Sequence, residues 1–273
     1  MLRDHGALLE SLLQSPLDYR HALGILDPEY QEWRPEGKPA HEVIFFGEAA
    51  LLLVKTDRVH PHLLWEPDTP AAQALVRYLA DWEFSVLEVL GEPGFRALKP
   101  LLCDGKWTVS RNYGVTASRF RPRPSNRVRS IGPEDPVASS PFACEMAKTM
   151  PWKPWQRDFD LMTRGLPVTC YGAFAGDELV GFCSSNPICR GVTEISVLAV
   201  ASQHRRQGLA SGMLTAQAQE AFECGNSIGY YSGGAGYDVD AMLTRLGFWE
   251  LKPSYRFVPA SSPEQWQAWG KPV

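Results

Sequence analysis

The apolar positions of this chain fall into helical and strand spacings that alternate along its length. Near the start, Leu8, Leu9, Leu12 and Leu13 form a helical stripe. His41 to Phe46 and Ala49 to Lys55, parted by Gly47-Glu48, predict a hairpin. His62 to Trp65 predicts a strand, Pro70 to Ala80 a helix, Phe84 to Leu90 a strand, Pro93 to Leu102 a helix and Trp107 to Val115 a strand. Two amphipathic helices follow, over about 134–149 and about 155–165. Thr169 to Ala175, Gly176-Asp177 and Glu178 to Ser184 give a second hairpin, and Glu194 to Val200 a strand. Leu209, Met213, Leu214, Ala218 and Phe222 put a broad apolar side on a helix over 209–223. Ser227 to Ser232 then predicts a strand, Asp240 to Phe248 a helix and Trp249 to Pro259 a final pair of strands. The pattern predicts an α/β fold of the α+β kind with a mixed sheet. Hairpin, strand, helix, strand, helix, strand occurs twice, so the expected arrangement is tandem.

Composition changes this picture in one place. Arg119 to Ser130 holds five arginines and two prolines, and reads as a linker or a strand crossing between two halves. The expected division is therefore 1–118, a linker over 119–130, and 131–273. No aromatic interleaving supports a nucleic-acid patch there, and the net charge of −4 argues against nucleic acid generally. The 273 residues, 44% hydrophobic, are enough for one large domain or two ordinary ones. No apolar run reaches the length of a membrane span, and the N-terminus makes a poor secretory signal. The six cysteines include no Cys-x-x-Cys pair and are expected to be reduced thiols, mainly core fillers, in a cytoplasmic protein.

The candidate chemistry centres on Arg205-Arg206-Gln207-Gly208-Leu209-Ala210, between a strand and a helix. The first turn of a helix presents unpaired N–H groups and the positive end of its dipole. Gly208 allows a ligand close to the backbone, so the segment is a plausible pyrophosphate cradle. It matches Gln/Arg-x-x-Gly-x-Gly/Ala, and here the chain resembles the GNAT N-acetyltransferase superfamily. The resemblance takes in the preceding strand, Ser227 to Ser232, Asp240 to Phe248 with its Gly-Phe ending, and the 169–184 hairpin. It covers about half the chain, roughly residues 127–260, and implies a GNAT fold there. The first half would be a degenerate GNAT-like domain or an unrelated α/β domain. The loop Glu66-Pro67-Asp68-Thr69-Pro70 is acidic where the cradle would fall, and should repel a pyrophosphate.

By this resemblance acetyl-CoA, or another acyl-CoA, is the co-substrate, and no metal is expected. Its arm would pair with backbone at Leu198, Ala199 and Val200. Its pyrophosphate would sit on the amides of Arg205, Arg206, Gln207, Gly208, Leu209 and Ala210, with charge from Arg205 and Arg206. Amide formation needs a neutral amine, and Glu194 is the candidate base. Strand alternation puts it on one side with Ser196 and Leu198. Many family members place a Tyr on the helix ending in Gly-Phe to protonate the leaving thiolate; here that position is Leu243. Tyr237, in the loop entering the helix, is the weak substitute. Trp152 and Trp155 could enclose the acceptor or form a core wedge.

Other motifs carry less. Gly233-Gly234-Ala235-Gly236 lacks a correctly placed third glycine for a dinucleotide site. His60-Pro61-His62 has no carboxylate or cysteine neighbours at metal spacing. The expected activity is acyl transfer from acyl-CoA to the primary amine of a small molecule or peptide by direct attack. The alternative is a catalytically weak CoA-binding or protein-interaction module on the same fold. No nucleic-acid or membrane partner is expected, and the sequence does not fix the oligomeric state.

Overall fold

The computed structural model describes residues 5–27, 40–46, 49–55, 59–63, 69–80, 86–149, 153–232, 239–261 and 271–272. The fold is mixed α/β. The chain divides into two compact units. The first takes Met1–Asn112, Ser232–Tyr237 and Glu250–Val273; the second takes Tyr113–Tyr231 and Asp238–Trp249.

In the first unit, α1 (His5–Leu13) and α2 (Pro16–Leu26) precede β1 (Ala40–Phe46), β2 (Ala49–Lys55) and β3 (Val59–Leu63). These three strands form an antiparallel meander. Then α3 (Thr69–Ala80) leads to β4 (Leu87–Leu90), which pairs parallel with β3, and α4 (Glu92–Leu98) leads to β5 (Gly105–Val115). A parallel neighbour requires such a crossover, and the helix supplies it. The core gathers Leu63, Leu75, Leu87, Val89, Phe95, Trp107 and Phe257. Phe95 stacks on Tyr255 at 4.1 Å and meets Trp107 edge-on at 5.1 Å.

The second unit takes the end of β5, Tyr113–Val115, and continues with β6 (Val128–Ser130), α5 (Pro141–Thr149) and α6 (Pro154–Thr163). Next come β7 (Thr169–Ala175), β8 (Glu178–Cys189), β9 (Val192–Val200), α7 (Leu209–Glu223), β10 (Ser227–Ser232), α8 (Asp240–Arg245) and β11 (Trp249–Glu250). Strands β6 to β9 pair antiparallel in sequence order, and β10 pairs parallel with β9. On one face Met213, Leu214 and Ala218 of α7 pack with Ile195, Val200, Ile228 and Leu243. On the other, Phe142 of α5 stacks on Phe182 of β8 and meets Trp155 of α6 edge-on. The buried Asp158 carboxylate of α6 accepts from Ser184 Oγ at 2.6 Å and from Arg157 at 2.6 Å, fixing α6 to β8.

Two expectations change. The helix expected over 134–149 begins at Pro141, because Ser140 caps it: its Oγ accepts the Ala143 N–H at 3.1 Å, with proline at the first helical position. The strand expected to close the second half, β12 (Ser254–Pro259), instead pairs antiparallel with β4 and β5 in the first unit. There β13 (Lys271–Pro272) also pairs with β5. Of the two readings of the arginine-rich stretch, linker or crossing strand, its contacts favour the second. Its Arg121 N–H donates to Leu246 O at 2.9 Å, its Arg123 N–H to Thr215 Oγ1 at 2.9 Å, and its end is β6. Of the six free thiols, Cys170, Cys183 and Cys189 are buried as expected; Cys103, Cys144 and Cys224 are exposed.

One surface device in this unit has a pH signature. Arg129 lies over the Phe174 ring at 3.9 Å and donates to both Asp135 oxygens at 2.9 and 2.6 Å. The Gly132 N–H also donates to Asp135, at 2.8 Å. The Arg129 hydrogen bond, and next the Gly132 one, hold the Asp135 carboxyl below its usual value. A depressed carboxyl stabilises the fold above its unfolded pKa, about 3.9, and loses that contribution as pH falls through the folded value. Asp135→Asn should therefore cost about 1 kcal/mol at neutral pH, since Arg129 is half exposed. The gap to wild type should close below about pH 4. Denaturant melts at both pH values test this; a gap that stays constant with pH would contradict it.

Candidate active site

The candidate site lies where β9 and β10 part. Their parallel ladder runs from Ser227 opposite Val192 to Tyr230 opposite Ile195, while β9 continues to Val200. On its other edge β9 stays paired with β8 as far as Gly181 opposite Val200. The β9 backbone beyond Ile195 thus faces a gap on the β10 side, where an extended ligand arm can take the place of a strand.

A bulge sits at the start of this gap. One step on β8, Ser184 to Ser185, is matched by two on β9, Val197 to Ile195, so Ser196 is the extra residue. It changes the facing of everything after it. Ile195 and Leu198, three apart, both pack toward α7. Leu198 therefore does not share a face with Glu194, contrary to simple alternation, because one inserted residue reverses the parity of a strand. Glu194 stands opposite Asn186 on β8 and Gly229 on β10. Asn186, 6% exposed, accepts a short hydrogen bond from the Ser196 hydroxyl. Ser185 and Ile195 point toward α7, so Glu194, Asn186 and Ser196 lie on the opposite face, the side of α5 and α6.

After Val200 the chain makes a single 3-10 turn, Ser202–His204, then reverses into α7. Arg206 and Gly208 both adopt left-handed backbone, at φ 62° and 78°. A Cβ at Gly208 would meet no atom within 4 Å, so the requirement for glycine is conformational. The first α7 bond runs from the Gly212 N–H to Gly208 O at 2.9 Å, so Leu209, Ala210 and Ser211 precede it with outward amides. Left-handed residues alternating with others make a concave nest of N–H groups, and here it caps a 15-residue helix at its positive end. These donors fit a pyrophosphate.

The two signature arginines differ. Arg205 turns back on its own loop, its Nε donating to Val200 O at 3.1 Å and its Nη2 lying 3.9 Å from Glu145. It braces the turn. Glu145 of α5 also accepts the Ser202 N–H at 2.9 Å. Arg206 is exposed beside the nest. Sequence inspection missed Glu145, Asn186, Ser196 and Arg127, whose Nη1 donates to Gln207 Oε1 at 2.7 Å. Only the arginine density around Arg127 gave any signal.

Trp155 is 1% exposed, which supports packing rather than stacking on a ligand. Leu243 is fully buried in the α7-side core. Tyr237 and Trp152 lie outside the described residues. Burial raises the Tyr230 phenol well above its usual value, with smaller contributions from Cys183, Tyr113 and Asp240. Burial likewise raises the Cys170 thiol to about 12, and it raises Cys183 too, so neither is a nucleophile near neutral pH. Among the described residues no cluster of three metal-ligating side chains occurs, and no helix is long and apolar enough to cross a membrane.

Residues 139–248 match the model of the acetyltransferase (GNAT) family. Solved structures share the fold. A GCN5-related N-acetyltransferase from Kribbella flavida is 15% identical with a TM-score of 0.57, over 96% of this chain and 98% of that one. A GNAT-family acetyltransferase from Colwellia psychrerythraea is 14% identical with a TM-score of 0.56, over 92% and 97%. A GCN5-related N-acetyltransferase from Sphaerobacter thermophilus is 13% identical with a TM-score of 0.53, over 84% and 80%. No curated protein matches the chain.

Proposed function

We propose that this protein transfers an acetyl or other short acyl group from acyl-CoA to the primary amine of a small molecule or peptide. One observation carries the proposal: β9 and β10 part directly beside a left-handed amide nest at the head of α7. The gap suits an extended pantetheine arm, and the nest suits a pyrophosphate. The thioester supplies an activated acyl carbon with a thiolate leaving group. The chain's own residues do the rest. Backbone at Leu198, Ala199 and Val200 orients the arm. The amides from Arg206 to Ala210 hold the phosphates, and Arg205 keeps their loop closed. Glu194 takes the proton from the incoming amine, directly or through water, and the Ser196–Asn186 bond fixes the bulge beside it. Tyr237 is the proposed donor to the leaving thiolate. A thiolate also leaves readily without an enzyme acid, which makes the burial of Leu243 compatible with turnover. That burial equally suits the second reading, a CoA-binding module with little chemistry of its own.

We further propose that the first unit is a GNAT-like repeat without coenzyme. Its meander followed by β3–α3–β4 has the order of β7, β8 and β9–α7–β10. Residues 64–68, between β3 and α3 in sequence, include Glu66 and Asp68, whose charges oppose a phosphate; they lie outside the described residues.

Acetyl-CoA binds the folded chain only, so at 100 times its dissociation constant it should stabilise the protein by about 2.7 kcal/mol. A thermal melt with millimolar acetyl-CoA checks this, and no shift would count heavily against the coenzyme site. Free-thiol release in the presence of small amines, amino acids, aminoglycosides and peptides then separates enzyme from binding module and identifies the acceptor class.

A further inference from the structure

Arg127 comes from the stretch whose composition suggested a linker or a crossing strand, and two devices deliver it to the candidate coenzyme loop. The first is close packing. A Cβ at Gly212, in the opening turn of α7, would lie 2.7 Å from Ser125 Cβ and 3.1 Å from Val128 Cγ2. The absent side chain lets residues 125–128 cross directly over the head of the helix. The second is a two-point clamp. The Arg127 carbonyl accepts the Phe174 N–H at 2.8 Å while its own Nε donates to Phe174 O at 2.8 Å. With its base so fixed, the guanidinium reaches Gln207 Oε1 at 2.7 Å, on the solvent side. Gln207 immediately precedes Gly208, the residue that caps α7.

A guanidinium has five N–H donors in a rigid fork, and the two bonds to Phe174 and Gln207 leave others for an anion at the same place. Arg205, by contrast, is turned toward Val200 and Glu145. The cation held at the loop from outside the signature is therefore positioned where the signature's first arginine is not. We infer that Arg127 is a coenzyme-binding residue: held by Gln207, it adds a fixed positive charge at the phosphate end of the bound coenzyme. This rests on the coenzyme site proposed above. Exposed charge pairs are screened by salt, whereas a change in loop packing is not.

The test is calorimetric titration of CoA into the full chain, wild type and Arg127→Gln, at about 50 mM and about 500 mM salt. The variant should bind about tenfold more weakly at low salt, as expected for one charge-assisted contact, and the gap should narrow to about twofold or less at high salt. Arg127→Lys, which keeps the charge but not the fork, should fall between the two, and it carries the same salt series if Arg127→Gln fails to fold. Wild-type affinity in folded Arg127→Gln at low salt would overturn the inference. So would a gap of equal size at both salts, which marks a merely structural role. If wild type itself binds no CoA, the coenzyme site fails, and that result is distinct from either of these.

Discussion

Gly208→Asp should abolish CoA binding in a protein that still folds. The left-handed φ of 78° costs an ordinary residue roughly 1–2 kcal/mol, which a domain of normal stability tolerates. A Cβ at this position would meet no atom within 4 Å, so the new side chain starts in open space, on the side where the ligand is proposed to lie. There a carboxylate replaces a bare backbone approach and opposes two phosphate charges at the positive end of α7. Gly208→Ala separates the two effects, since it adds bulk and strain without charge and should bind more weakly than wild type but better than the aspartate. Calorimetry with CoA, beside an unfolding curve of each variant, reads both quantities. Unchanged affinity in folded Gly208→Asp would place the phosphate cradle elsewhere. Substitutions at Glu66 or Asp68 should leave CoA affinity as it is.

Glu194→Gln should lower turnover far more than it lowers coenzyme affinity. Glutamine keeps the shape of the side chain opposite Asn186 and Gly229 but cannot accept a proton near neutral pH. A positioned base is typically worth ~10²–10⁴-fold. The deficit should shrink as pH rises and solution supplies free amine, and it should shrink for amines of low pKa. Thiol release measured between about pH 6 and pH 9 with the acceptor found by screening checks this. Wild-type rates across that range would remove Glu194 from the mechanism, and a water held by backbone carbonyls would then be the better candidate.

The fold of the second unit was largely legible because its signals are local. The hairpin over 169–184 is marked by Gly176-Asp177, and α7 by its apolar spacing and the glycine before it. Where a signal required a distant partner, sequence inspection went astray. The partners of β12 are β4 and β5, far back in the chain, and nothing within Ser254–Pro259 names them. Strand pairing depends on edges left open elsewhere, which pattern within a strand does not encode. The bulge at Ser196 has no local mark either, so alternation placed Leu198 on the wrong side. Arg127 and Gln207 are 80 residues apart, and composition alone left the first of them in a linker or a crossing strand with no partner named. Trp155 carried two readings until packing against Phe142 supported one.

The sequence by itself determined the mixed α/β class, most elements of the second unit, and the strand, loop and helix that make the amide nest. These follow from periodicity, from the few residues that accept positive φ, and from the unpaired amides of any helix start. Tertiary structure decided the rest. It set where β9 loses its partner, which face Glu194 and Leu198 occupy, which arginine braces the loop and which one stands beside it. Each of those depends on what lies across a gap in space, and no short stretch of chain specifies its own neighbours.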